Sequence, residues 1–390
     1  MAWSVQLGWA DQLRRRPDLA SVTRSTELDP LNAQGFRAKA LYEELAGLEA
    51  RGSWRAATQL DPRNPRILIP AGVYAEIKGD STLAEEYLKT AERWNRLWLP
   101  RWTLANYYAR RGDRTKVIDW IRSALARSYG ETAAAFELAR SQDLTDAEIA
   151  EQLLPRAAHA YAEFVAFLTR TPVDAAGAAL LERVASRFVE MELDEPAIRR
   201  QPETVIAAVE RLRGDGHGVA ALRLWNQACK SALIGSVVAA PGSLIINGDF
   251  ARPFLGRGFD WRMTIPAGVE GVHHPGTGTV KFIFSGNQEG TNELLAQPLV
   301  LPQGTAWQVS FDFRTRGITP RQAAFSWMLD AEALPVEGGF SSEDWSTGHF
   351  VIPAAGQDRL RRLTLVLAQP VGAVRPEGEL WLRNIRAVPN

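Results

Sequence analysis

Apolar residues change their spacing once along this chain. Up to about residue 236 they recur every three or four positions, as in Phe164–Leu168 (FVAFL) and Ala178–Met191 (AALLERVASRFVEM), which is the period of amphipathic or core helices. From residue 243 onward they alternate with polar residues. In AWQVSFDFRTR, Trp307, Val309, Phe311 and Phe313 fall on one face, and Gln308, Ser310, Asp312 and Arg314 on the other. Similar runs lie at 259–265, 279–284, 293–301, 323–329, 345–353, 359–369 and 379–388. With a short strand at Leu244–Ile246 they predict about nine strands and no helix. The fold class is therefore multidomain, α plus β. An α-helical repeat domain is expected over 1–236, and an antiparallel β-sandwich of jelly-roll type over 243–390. The segment VVAAPGS (Val237–Ser243), with its Pro and Gly, is the expected joint.

The helical part repeats itself. LDPLN at Leu28–Asn32 returns as LDPRN at Leu60–Asn64, Gly79-Asp80 as Gly112-Asp113, and Tyr74 as Tyr107. These intervals are close to the ~34 residues of a helical-hairpin solenoid. Ala57, Ala91 and Ala124 would let helices approach, with Leu88 and Ile121 filling the space beside them. Clear repeats extend over about 15–130, and degenerate helices over 131–236, where Thr145 to Glu148 forms a capping box. The fragment AATQLDPRN carries A-x-x-L-D-P-x-N and resembles tetratricopeptide repeats, which implies a protein partner. Trp98, Trp102 and Tyr108, with Arg101 interleaved, are the candidate partner-binding residues, since solenoid faces hold extended peptides. Core packing with Arg laid over the rings is the competing reading.

The strand-rich part opens with LIINGDF (Leu244–Phe250), continues through FDW, TVKFIF and LLAQPLVLPQGTAWQVSFDFRT, and ends on ELWLRNIRAV. That order resembles jelly-roll carbohydrate-binding modules, whose pattern begins N-G-D-F-E and ends on a strand with adjacent aspartates. The resemblance implies polysaccharide binding and, in many such modules, a structural calcium. Here Ala251 replaces the glutamate, and Arg383-Asn384 the aspartates. A hard cation needs several oxygen ligands including carboxylates, so calcium is disfavoured and no cofactor is expected. The pairing of such a module with tetratricopeptide-like helices is similar to bacterial proteins found with exopolysaccharide biosynthesis and export machinery. This implies a cell-envelope or periplasmic setting, with any signal or anchor lying outside this chain.

Composition narrows the function classes. In 390 residues, Lys+Arg and Asp+Glu are both 45, and the charges balance on either side of residue 240, which disfavours nucleic acid as a partner. The lone cysteine, Cys229, excludes a disulfide framework and multi-cysteine metal sites. The longest apolar tract, Ser231–Ile246, is broken by Gly235, Pro241 and Gly242, so no membrane span is expected. No nucleophile elbow, phosphate-binding loop, dinucleotide fingerprint or metal-spaced histidine set occurs. His273-His274 reads as a loop pair, and no catalytic or metal-ligating residue is assigned.

Thirteen tryptophans carry more information, because sugars present flat C–H faces to aromatic rings while planar polar groups bond their hydroxyls. Trp307 and Trp327 fall in phase with core residues, and the side taken by Trp381 is ambiguous. The candidate carbohydrate-binding residues are Trp261 with Arg262, Trp345, and a polar row of Gln297, Asp312 and Arg314. The expected function is a non-catalytic adaptor that binds a protein through its helices and a polysaccharide through its sandwich. The alternatives are a purely protein-binding scaffold and, less favoured, a glycan-active enzyme with two carboxylates ~5–9.5 Å apart.

Overall fold

The computed structural model describes residues 2–128, 130, 132–194, 200–238, 243–288, 290–319, 325–337, 339–369 and 372–390. The chain divides into two compact units, 1–163 and 164–390.

The first unit is a series of helical hairpins. Ala2–Arg14 and Leu19–Leu28 precede the pairs Ala33–Leu45/Arg51–Leu60, Pro65–Ile77/Ser81–Trp94 and Trp98–Arg110/Arg114–Leu125. The repeated LDPxN segment is the link between hairpins. The Asn32 side-chain oxygen caps the next helix by accepting from Gln34 N and Gly35 N, and its amide donates to Asp29. Asn64 does the same with Arg66 N and Asp61. Within a hairpin, Gly79 and Gly112 take φ of 80° and 70°, a region open to glycine, and so end the first helix. Asp80 and Asp113 then cap the second by accepting from Leu83 N and Lys116 N. Ala57, Ala91 and Ala124 are fully buried, with Leu88 and Ile121 beside them. A Cβ on Gly72 would sit 2.9 Å from Leu88, so the helices of that pair meet at van der Waals distance.

The second unit holds helices Ala175–Glu192, Pro202–Gly214 and Gly218–Lys230 together with ten strands. These are β1 (Arg262–Met263), β2 (Val269–His274), β3 (Thr279–Ser285), β4 (Thr291–Leu301), β5 (Trp307–Thr319), β6 (Phe325–Leu329), β7 (Glu332–Leu334), β8 (Ser346–Ile352), β9 (Arg359–Ala368) and β10 (Glu377–Pro389). They form two antiparallel sheets, ordered β1-β4-β9-β6-β7 and β2-β3-β10-β5-β8, around an aromatic core that includes Trp261, Phe282, Phe311 and Trp327.

Helix gives way to strand between Lys230 and Arg262; residues 239–242 of the expected joint lie outside the described residues. The division into compact units falls much earlier, at 163/164, because the last helices pack on the sandwich. A Cβ on Gly218 would meet Leu360 and Val300, and the Trp225 ring lies edge-on to Phe259 and against Gly258. Consequently the middle of β4 and of β9 is buried at consecutive residues, with both faces of that sheet covered. In β5 burial still alternates, so the outer face of its sheet is open.

Three strand expectations change. Leu244–Ile246 forms no strand, because its backbone is tied at Ile246 to a side chain and not to a ladder. β2 and β7 replace stretches expected to be loops. His273 therefore lies on a strand, stacked 3.9 Å from Phe254 and hydrogen-bonded through Nε2 to Phe250 O. Residues 323 and 324 of the expected strand at 323–329 lie outside the described residues.

Candidate functional site

The open sheet of the sandwich carries the densest grouping of aromatic and charged side chains that the sequence assigned to a ligand. Along β5, Trp307, Val309, Phe311 and Phe313 enter the core, which turns Asp312 and Arg314 outward. The ladder places Trp381 of β10 opposite Arg314 on one side and opposite Lys281 of β3 on the other. Trp345 immediately precedes β8, whose Ser346 pairs with Phe313. The result is a row across the sheet, Lys281–Trp381–Arg314–Trp345. The Arg314 guanidinium lies 4.5 Å from the Trp381 ring centre and 5.0 Å from that of Trp345. Lys281 covers Trp381 at 4.8 Å, and Arg383 covers Trp345 at 4.1 Å.

Two carboxylates brace this row. Asp312 accepts from Asn384 Nδ2 (2.8 Å), Thr347 Oγ1 (3.0 Å) and Arg383 Nε (3.1 Å). Burial pushes its carboxyl up, but those three bonds outweigh burial and hold it below the usual range, so it is charged at neutral pH. Glu379 accepts from Lys281 (2.7 Å) and from Trp381 Nε1 (3.1 Å), and these bonds lower its carboxyl too. A cavity of about 410 Å³ is lined by Thr315, Ser341, Ser342 and Glu343, chain neighbours of Arg314 and Trp345.

Asp312, Arg314 and Trp345, read from the sequence as separate candidates, lie together on this face. The other three sandwich candidates are corrected. Trp261 is fully buried, with Nε1 donating to Asn247 O and its face against Phe250 and Trp327. Its polar neighbours Asp260 and Arg262 suggested a surface, but both are drawn into contacts of their own. Asp260 is buried and accepts from Leu255 N and Trp261 N. Arg262 pairs with Glu210 at 2.8 Å and so ties the sandwich to helix Pro202–Gly214. Gln297 is also fully buried; its amide oxygen accepts from Ile246 N and its amide nitrogen donates to Ile246 O, which mimics a strand neighbour.

Trp381 and Lys281 are the members of the row that sequence reasoning did not assign. Lys281 was legible, since Val280, Phe282 and Phe284 alternate inward around it. Trp381 was not, because β10 changes phase at a bulge between Arg383 and Arg386, where Asn384 takes a φ of 53°. Leu380 and Leu382 point inward before the bulge, and Ile385 and Ala387 after it.

The opening NGDF segment is anchored at the same bulge. Gly248 O accepts from Ile385 N at 2.8 Å, and a Cβ on Gly248 would lie 2.0 Å from Ile385 O, so only glycine fits. The oxygen donors there are sparse. Asp249 accepts from Ala251 N, Ala251 has no side-chain oxygen, and Arg383 and Asn384 are bonded to Asp312. Among the described residues, no three His, Cys, Asp or Glu side chains group as a metal site.

In the helical unit the four candidates separate. Trp98 and Trp102 are partly exposed and stack at 5.5 Å. Arg101 is a structural tie, paired with Glu92 and donating to Ser123 O, and Tyr108 is buried with its hydroxyl donating to Glu85. A cavity of about 340 Å³, unmarked in the sequence, is lined by Trp54, Tyr74 and Tyr87 with Arg51, Arg55 and Lys78. Cys229 is buried, which pushes its thiol up to about 12 and leaves it unreactive at neutral pH. No described helix is long and apolar enough to cross a membrane.

The fold and site define a helical-repeat protein with an appended β-sandwich. No family model and no curated protein matches the chain. Among solved structures, a CBM4 module is similar at 13% identity over 37% of this chain and 99% of its own, with a TM-score of 0.27. PilW, a widely conserved type IV pilus biogenesis factor, is similar at 14% identity over 59% of this chain and 93% of its own (TM-score 0.28). The C-terminal part of a TPR repeat-containing protein from Cytophaga hutchinsonii is similar at 13% over 57% and 94% (TM-score 0.30).

Proposed function

We propose that this protein is a non-catalytic adaptor of the bacterial cell envelope, acting in exopolysaccharide assembly or export. Its helical repeats hold a protein partner and its sandwich holds a polysaccharide. The observation that carries this reading is the asymmetry of the sandwich. One sheet is covered by helices, while the other leaves Trp345, Trp381, Arg314 and Asp312 accessible on one face. On the helical side, the cavity lined by Trp54, Tyr74 and Tyr87 suits a peptide segment. Affinity electrophoresis of the full chain through gels containing bacterial exopolysaccharides tests the sugar half. Retardation that Trp345→Ala and Trp381→Ala abolish is the expected result; identical mobility of all three proteins in every gel overturns it.

The sandwich needs no calcium in this reading, since Ala251 brings no carboxylate to the NGDF turn and Arg383 brings a positive charge to the final strand. Melting curves recorded with chelator and with millimolar calcium should coincide. A calcium-dependent rise in Tm would show that the loop gathers ligands after all.

One feature favours the purely protein-binding alternative: the Trp345 and Trp381 rings already have cations over them, which a neutral sugar must displace in order to stack. Under that alternative a partner protein pulled down by the wild-type chain would be lost on mutating the sandwich face.

A further inference from the structure

We infer that the open sandwich face selects a carboxylate-bearing polysaccharide, a polyuronate, and that Arg314 is the residue that recognises the carboxylate. This rests on the sugar-binding reading above and names its ligand class. The charges on the face do not cancel locally. Asp312 is matched by Arg383, and Glu379 by Lys281. Arg314 lies between these pairs and has no carboxylate partner among the described residues, while Arg316 is exposed two positions along the same strand. A guanidinium with no carboxylate partner among the described residues, set between two matched ion pairs, is available to a group outside the chain.

Its surroundings match that task. Trp381 and Trp345 hold the guanidinium from two sides at 4.5 and 5.0 Å, so little side-chain freedom remains to be lost when a ligand binds. A planar guanidinium offers parallel N–H donors that suit a carboxylate in a bidentate pair. A neutral sugar would instead have to displace Arg314 from the rings and form no ion pair in exchange. The strand spacing of ~4.8 Å spreads Lys281, Trp381, Arg314 and Trp345 over roughly three strand widths, long enough for an extended segment of a few sugar residues.

The test uses the whole 390-residue chain and polygalacturonate, with highly methyl-esterified pectin as the same backbone with its carboxylates masked. Dextran and dextran sulfate serve as neutral and purely electrostatic controls. Binding is followed by isothermal titration calorimetry at two salt concentrations. Polygalacturonate should bind, weaken at the higher salt, and bind more tightly than the esterified polymer. Arg314→Gln should weaken it by about tenfold or more, the loss expected for a charge-assisted bond, and Arg314→Lys should recover only part of it. Near-UV circular dichroism of each variant confirms that the core is intact. Equal affinity for dextran sulfate, or an Arg314→Gln variant that binds like wild type, overturns the carboxylate assignment. Tight binding of a neutral glycan, unaffected by Arg314→Gln, overturns it too while leaving sugar binding in place. If no polymer binds, both this inference and the sugar-binding reading fail.

Discussion

Trp261→Ala is expected to cost the sandwich about 3–5 kcal/mol, the range for removing a large buried aromatic. Trp345→Ala should cost about 1 kcal/mol or less, the worth of a partly exposed cation–π contact. The contrast follows from placement alone. Trp261 is fully enclosed by Phe250 and Trp327, and its loss would also leave Asn247 O without the indole donor that now satisfies it. Asn247 begins the NGDF segment, so the same substitution loosens the opening latch against β10. Among the described residues, the ring contacts of Trp345 are with the Arg314 and Arg383 guanidinium groups. Urea unfolding of the full chain, followed by near-UV circular dichroism, measures both variants. Equal shifts of the sandwich transition would refute the assignment of Trp261 to the core.

Truncation should have the second large effect. A fragment of residues 243–390 keeps every strand but loses the helices that cover β4 and β9. Val300, Leu360 and Phe259 would be exposed, and Arg262 and Gly258 N would lose Glu210. Such a fragment should aggregate, or bind a hydrophobic dye without a cooperative melting transition. Residues 164–390 should melt cooperatively, because they retain that cover. A 243–390 fragment with the same Tm as the longer piece would show that the helices contribute nothing to the sandwich. Acid should loosen this joint as well. Burial pushes the Glu210 carboxyl up, but Arg213, Gly258 N and Arg262 outweigh it and hold it below its ordinary value. The stability it contributes is therefore present above the unfolded carboxylate range and is lost as the pH falls through the depressed folded value.

The local code of this chain was readable. The LDPxN caps, the Gly-Asp hairpin turns and the small residues at Ala57, Ala91 and Ala124 act between near neighbours at a fixed period, so spacing alone exposes them. The same holds for the alternation of β5, which by itself puts Asp312 and Arg314 outside and Phe311 and Phe313 inside. Tertiary structure decided whatever depends on contacts between distant segments. Trp261 and Trp345 look alike in sequence, each an aromatic beside charged residues, and only the closing of Asn247 and Trp327 over one of them separates core from surface. Gln297 is polar and alternates correctly for a solvent face. It is buried because Ile246 offers its backbone N–H and carbonyl to that amide. The phase of Trp381 was set by a single inserted residue at the bulge between Arg383 and Arg386, where Asn384 takes a φ of 53°. Periodicity determines what each segment would bury if given a partner. Which face of the sandwich stays open depends on which partner arrives, here the helices Pro202–Gly214 and Gly218–Lys230, and that is a property of the folded unit as a whole.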